Sequence, residues 1–198
     1  MKDSRLQHKH LSSALADSNC FSILYPRLRL RLRQGLHSGR LLAQTRYRVS
    51  IRFEPLQMIE VVNRQRKVPV DCERWEKFTE KVVKVVPSDG ADVTVAFISD
   101  RVMRELNRRW RGKRGTTDVL SFPSAQDEFE RLEGSTLGDV VISVEQARRQ
   151  AAEHNLSFEN EVEQLILHGL LHLCGYDHET DTGEMNRLEL RLRRRLGI

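Results

Sequence analysis

The 198-residue chain is long enough for one domain and a tail, and its 39% hydrophobic and 31% charged residues allow one modest core. No apolar run approaches the ~18 residues of a membrane span. The longest near the N-terminus covers only residues 23–25, so neither a membrane protein nor a secretory leader is predicted. The formal charge of +5 is uneven: residues 1–57 carry 11 Lys and Arg against three acids, and the rest carries 22 against 25, so charge alone does not mark the folded part as a nucleic-acid binder.

In chain order, residues 1–57 show no helical caps and no sustained period, and are rich in Ser, Gln and Arg. They read as a basic, disordered extension. The alternatives are an Arg-rich targeting peptide, or sequence upstream of a true start at Met58. Within them Leu28–Arg33 alternates Leu and Arg, as one short amphipathic strand would. Regular patterning begins at Met58. Ile59–Asn63 reads as a strand, and Asp71 as the cap of a helix with Trp75, Phe78, Val82 and Val86 on its inner face. Asp92–Ile98 alternates as a half-buried strand. Ser99 or Asp100 caps a second helix, with Val102, Met103, Leu106 and Trp110 along one side. Asp118–Phe122 and Asp139–Ser143 are short β-branched runs that read as strands. Ser143 and Gln146 have the spacing of a capping box for the next helix. Ser157 caps another helix, which reaches about Cys174 and is stopped by Gly175; a last amphipathic helix runs from about Thr182 to Leu196. Mixed elements without strict βα alternation predict an α+β fold. Its small mixed sheet is covered by helices, and residues 58–198 form its one domain.

Three of the seven histidines, His168, His172 and His178, fall within eleven residues. The first two, four apart on a helix, differ by about 40° in azimuth and project from one side. Gly175 lets the chain turn back to deliver the third. Three neutral imidazoles with a vacant fourth position suit a catalytic zinc, although Ni, Cu or Fe also accept this donor set. A pair of ordinary core histidines is the plainer alternative, but burying two imidazoles in the apolar run from Leu165 to Cys174 is costly without partners. Cys174 lies roughly 200° round the helix from His172 and reads as a structural thiol. Asp177 could support a ligand from behind or make a local turn. Cys20, Cys72 and Cys174 form no CxxC pair and no disulfide framework, which fits a reducing cytosol. The zinc-protease motif HExxH places a glutamate directly after its first histidine; here that residue is Gly169, which disfavours proteolysis by that route. An ion still lowers the pKa of its water towards ~7.

Three blocks resemble the YbeY family of single-strand-specific endoribonucleases. They are residues 106–113 with 117–123, residues 137–143, and residues 168–178 followed by Met185 and Glu189. The resemblance implies an α+β fold, one zinc ion held by His168, His172 and His178, and hydrolysis of RNA phosphodiesters. It also implies a cytoplasmic role in 16S rRNA 3′-end maturation and ribosome quality control, with ribosomal particles as partners and no membrane. The family's functional arginine falls on Arg111. Trp110 stands where the family usually has tyrosine, and residues 1–57 lie outside its pattern.

The residues also speak to RNA. Arg101, Arg104, Arg108 and Arg111 fall within about 80° on one helix face, with Lys113 and Arg114 after them. Such a stripe is often only a solvated face, but beside an open metal site it reads as a phosphate contact. The expected protein is a zinc-dependent endoribonuclease acting on single-stranded rRNA, with Arg111 stabilising transition-state charge. A metalloprotease-like hydrolase and an assembly factor with a structural zinc are the alternatives.

Overall fold

The computed structural model describes residues 58–88, 92–124 and 136–198; the short strand expected at Leu28–Arg33, and the whole N-terminal extension, lie outside them. Four strands and five helices follow in the order β1 (Ile59–Asn63), α1 (Cys72–Val83), β2 (Asp92–Ile98), α2 (Asp100–Arg111), β3 (Val119–Pro123), β4 (Thr136–Ser143), α3 (Val144–Glu153), α4 (Phe158–Leu173) and α5 (Glu184–Leu196). The sheet order is β1-β2-β4-β3. β1 and β4 flank β2 in parallel, and β3 closes the edge antiparallel to β4. This is the mixed-sheet α+β fold the sequence predicts. Among the described residues no helix is long and apolar enough to cross a membrane.

Alternate residues of a strand point to opposite faces, and here both faces are covered. Val93, Val95 and Phe97 of β2 join Val140 and Ile142 of β4 in one core with Trp75, Phe78 and Val82 of α1 and Val162, Ile166 and Leu170 of α4. The intervening Ala96, Ile98 and Val141 are buried as well, as are Met103 and Leu106 of α2. β2 is therefore buried continuously from Val95 to Ile98, and is not the half-buried strand its alternation suggests.

The expected caps hold at two helices. Asp71 accepts from the Arg74 N–H, and Ser157 from the Asn160 N–H. Val86 is buried as expected, although α1 ends at Val83. The capping box at Ser143 does not form: the Ser143 hydroxyl instead donates to Asp100 Oδ1 at 2.5 Å, and Gln146 accepts from Arg149. Asp100 also takes Arg149 on Oδ2, while its own N–H donates to Glu145 Oε2 at 2.7 Å. A side chain from α3 thus satisfies an orphan N–H of α2, tying the two helices together at the end of β4. The last helix starts at Glu184, two residues later than predicted, because the Asp181 carboxylate accepts from the Gly183 and Met185 N–H groups and holds the preceding turn.

Candidate metal centre

α4 is apolar on nearly every side, so it packs against the sheet and against α1, α3 and α5 at once. It lies close against the sheet at Gly169, where a Cβ would stand 2.5 Å from Val140 Cγ1 and 3.3 Å from the Ser121 hydroxyl. Ser121 of β3 donates to the Gly169 carbonyl at 2.9 Å. The residue after the first histidine therefore faces the sheet. Glycine there is a packing requirement, and the glutamate of the HExxH pattern has no room.

His168 and His172 leave α4 on the remaining side, each half-buried. The helix then ends as its sequence predicts. Gly175, at φ 88°, donates to the His172 carbonyl, and the Tyr176 N–H reaches back to the Leu171 carbonyl, the paired bonds of a Schellman motif. This turn brings His178 round to the other two, and the ligand atoms of all three imidazoles lie within 4.8 Å of one another. His178 itself is exposed, so the cluster opens to solvent.

The hydrogen bonds behind the rings decide what the cluster can hold. His168 Nδ1 lies 3.1 Å from Glu189 Oε2, and His172 Nδ1 lies 2.9 Å from the Tyr176 carbonyl oxygen. Carbonyls and ionised carboxylates only accept, so each Nδ1 carries the proton. In the neutral rings both Nε2 atoms are then bare lone pairs, and they face each other at 3.1 Å. Two acceptors at that distance repel unless a cation lies between them. Two ligands on a tetrahedral zinc at ~2.0–2.1 Å stand about 3.3 Å apart. The donor set thus fits a metal ion. Burial, followed by the neighbouring His168 and His178, pushes the His172 imidazole below its ordinary pKa and favours the neutral form that a ligand requires.

Glu189 is a residue the sequence reading matched to a family pattern without giving it a role. It lies on the inner face of α5 and is only 7% exposed. Burial acts to raise its carboxyl pKa, but hydrogen bonds and charge from His168 and Arg193 outweigh burial and hold it below the ordinary value. The sequence did carry a signal: α5 buries Met185 and Leu192, and a glutamate four residues after one and three before the other is an acid on an apolar face.

The other expected residues divide. Arg111 ends α2 before Gly112, which adopts φ 65°, and its Nη2 lies 3.2 Å from Glu179 Oε1. Glu179 follows His178 directly, so this ion pair links the end of α2 to the turn that carries His178. Arg101, Arg104 and Arg108 are exposed on α2 as expected, with Arg108 paired to Glu105. Trp110 packs edge-on against Phe122, with ring centroids 5.8 Å apart. Cys174 is half-buried outside the cluster, and burial pushes its thiol up to about 11, away from the thiolate a metal would need. Asp177 Oδ1 accepts from the Glu179 N–H at 2.9 Å, the bond of a local turn.

Comparison with known proteins gives a consistent family. A family model described as Endoribonuclease YbeY matches residues 60–197. Proteins of that name are 42% identical in Clostridioides difficile, over 69% of this chain and 94% of the relative, and 43% identical in Solibacter usitatus, over 67% and 86%. The one in Syntrophus aciditrophicus is 35% identical over 67% of this chain and 83% of its own length. A solution structure from Thermotoga maritima aligns at 30% identity with a TM-score of 0.49, covering 70% of this chain and 89% of that one.

Proposed function

The chain belongs to the YbeY endoribonuclease family, and from that premise we propose that it is a zinc-dependent endoribonuclease acting on single-stranded rRNA. The reading places it in the cytoplasm on ribosomal particles, in 16S rRNA 3′-end maturation and ribosome quality control. Zinc is held by His168, His172 and His178. A bound ion supplies Lewis acidity and a water of lowered pKa at this position.

The observation that carries the reading is the pair of Nε2 atoms 3.1 Å apart, on rings whose Nδ1 atoms each face an acceptor, beside an exposed third imidazole. The protein's own groups would do the rest. Arg111 presents a planar fork that stays charged at any relevant pH and matches phosphate oxygens. Its half-exposed ion pair with Glu179, the residue after His178, supports a role for the guanidinium in holding an anion there. Arg101, Arg104 and Arg108 extend positive charge along α2 for the flanking backbone. The packing of Gly169 against Val140 leaves no space for the glutamate of a zinc protease, so RNA is favoured over a peptide substrate. The test is metal analysis together with cleavage of unstructured RNA, duplex RNA and a casein-like protein. Wild type should contain about one zinc per chain and cut only the unstructured RNA. Protein cleavage that disappears in His168→Ala would overturn the assignment.

A further inference from the structure

The metal cluster draws on one side chain from outside its own turn. Glu189 lies 21 positions along the chain from His168, on a different helix, and its two oxygens are both engaged. Oε2 faces His168 Nδ1 at 3.1 Å, and Oε1 accepts from Arg193 Nη2 one turn further along α5. With both oxygens engaged the carboxylate cannot turn away from the imidazole. The Arg193 side chain is half-buried, and its buried Nε finds no partner among the described residues. A buried donor left without a partner is a destabilising feature that a purely structural helix face would not require.

We propose that Glu189, held by Arg193, is a positioning residue for the metal centre. It fixes His168 in the Nδ1–H tautomer and aims Nε2 at the ion. The inference rests on the metal-site reading above. Its physical basis is that the hydrogen bond at one ring nitrogen selects which nitrogen is left to bind metal, and a carboxylate there also makes the imidazole a better donor. The two helical ligands are fixed by different means. His172 is held by the Tyr176 backbone carbonyl within its own turn, which no side-chain substitution removes. His168 depends on α5. The C-terminal helix is therefore part of the metal site: without it His168 is free to take the Nε2–H form, which cannot ligate through Nε2.

The bland alternative is that Glu189 and Arg193 form only an intrahelical ion pair that His168 happens to touch. Metal affinity and tautomer separate the two. Zinc affinity is measured by chelator competition on the full chain for wild type, Glu189→Ala, Glu189→Gln, Glu189→Met and Arg193→Ala. The His168 tautomer is read in metal-free protein from two-bond ¹H–¹⁵N correlations. Wild type should show Nδ1–H. Glu189→Ala and Glu189→Met should populate Nε2–H and bind zinc 10–100-fold more weakly. Glu189→Gln, whose amide oxygen still accepts, should lose less, and Arg193→Ala should lose less than Glu189→Ala. If alanine leaves too large a hole for folding, the methionine variant fills the space between Met185 and Leu192 without an acceptor and decides the matter. Zinc affinity within twofold of wild type in a folded Ala or Met variant, with His168 still protonated on Nδ1, overturns the proposal. Wild-type protein that takes up no zinc is a different failure, and it removes the metal-site reading and this inference together.

Discussion

Gly169 and Val140 approach so closely that a single methyl group on the glycine would sit 2.5 Å from Val140 Cγ1. The contact sets how near the metal helix lies to the sheet. Gly169→Ala should overpack it and destabilise the protein by about 1–3 kcal/mol, read as a lower urea midpoint. Trimming the obstacle with Val140→Ala should recover part of the loss in the double variant, although Val140→Ala alone destabilises. A double variant whose loss equals the sum of the two singles would show that the contact is not the cause.

Removal of one ligand should be decisive for the metal. His172→Ala should lose the zinc that wild type retains on purification without chelators. Chelation of wild type should lower its melting temperature, and added zinc should restore it, because an ion that prefers the folded state stabilises it by mass action. Equal melting temperatures with chelator and with excess zinc would argue against a bound ion.

Arg111→Ala should leave zinc content and melting temperature unchanged and slow single-turnover RNA cleavage by about 10²–10³-fold, the range for a donor aimed at developing charge. Arg111→Lys should rescue poorly, since it keeps charge without the planar fork. Arg104→Ala is the control on the same helix. Equal damage from both would mean that the stripe binds RNA as a unit, and cleavage by Arg111→Ala within about threefold of wild type would remove its catalytic role.

Asp100 gives a pH prediction away from the metal. Burial acts to raise its carboxyl, but hydrogen bonds from Ser143 and Arg149 and the charge of Arg149 outweigh it, so the pKa lies below the ordinary value. A group depressed in the folded state stabilises it above its unfolded pKa, ~3.9 for aspartate, and loses that contribution as pH falls through the folded value. Asp100→Asn should be less stable than wild type at neutral pH by about 1–3 kcal/mol, with the gap closing in acid. A gap that stays constant from neutral pH down to about pH 3, below the unfolded range, would show that the charge contributes nothing.

Residues 58–198 should fold without the preceding 57. The four-stranded sheet and the helices packed on it close within residues 59–196, and the Met58 N–H already donates to Asp92 Oδ1 at 2.6 Å, next to where β1 joins β2. Loss of cooperative unfolding or of zinc uptake on deleting residues 1–57 would move the boundary.

Much of the fold was legible because period and caps are local signals. Ile59–Asn63 was read to the residue, and the ends of α4 follow from Ser157 and Gly175. The misses are places where a distant partner won. Ser143 has the sequence of a capping box, yet its hydroxyl goes to Asp100, 43 residues away. β4 starts at Thr136, earlier than expected, because Gly138 at φ 130° and a register shift opposite Val93 interrupt the alternation a strand should show. At the site, the grouping of the three histidines was visible in spacing alone. The absence of a glutamate at residue 169 was visible too, but its cause, the contact with Val140, was not. Glu189 escaped a role because its partner is on another helix.

The histidines come from eleven consecutive residues, while the group that orders His168 comes from the chain's final helix. A short tether brings ends together at little entropic loss, so even an unfolded chain presents zinc with a nearly complete claw. Metal bound to the unfolded state subtracts from the stabilisation that native affinity alone would give. The unfolded claw lacks Glu189, so much of the selectivity of the ion for the finished fold over the nascent chain should reside in that one carboxylate. On that proposal the ion would be held first by the three histidines and gripped tightly only once α5 has docked against them.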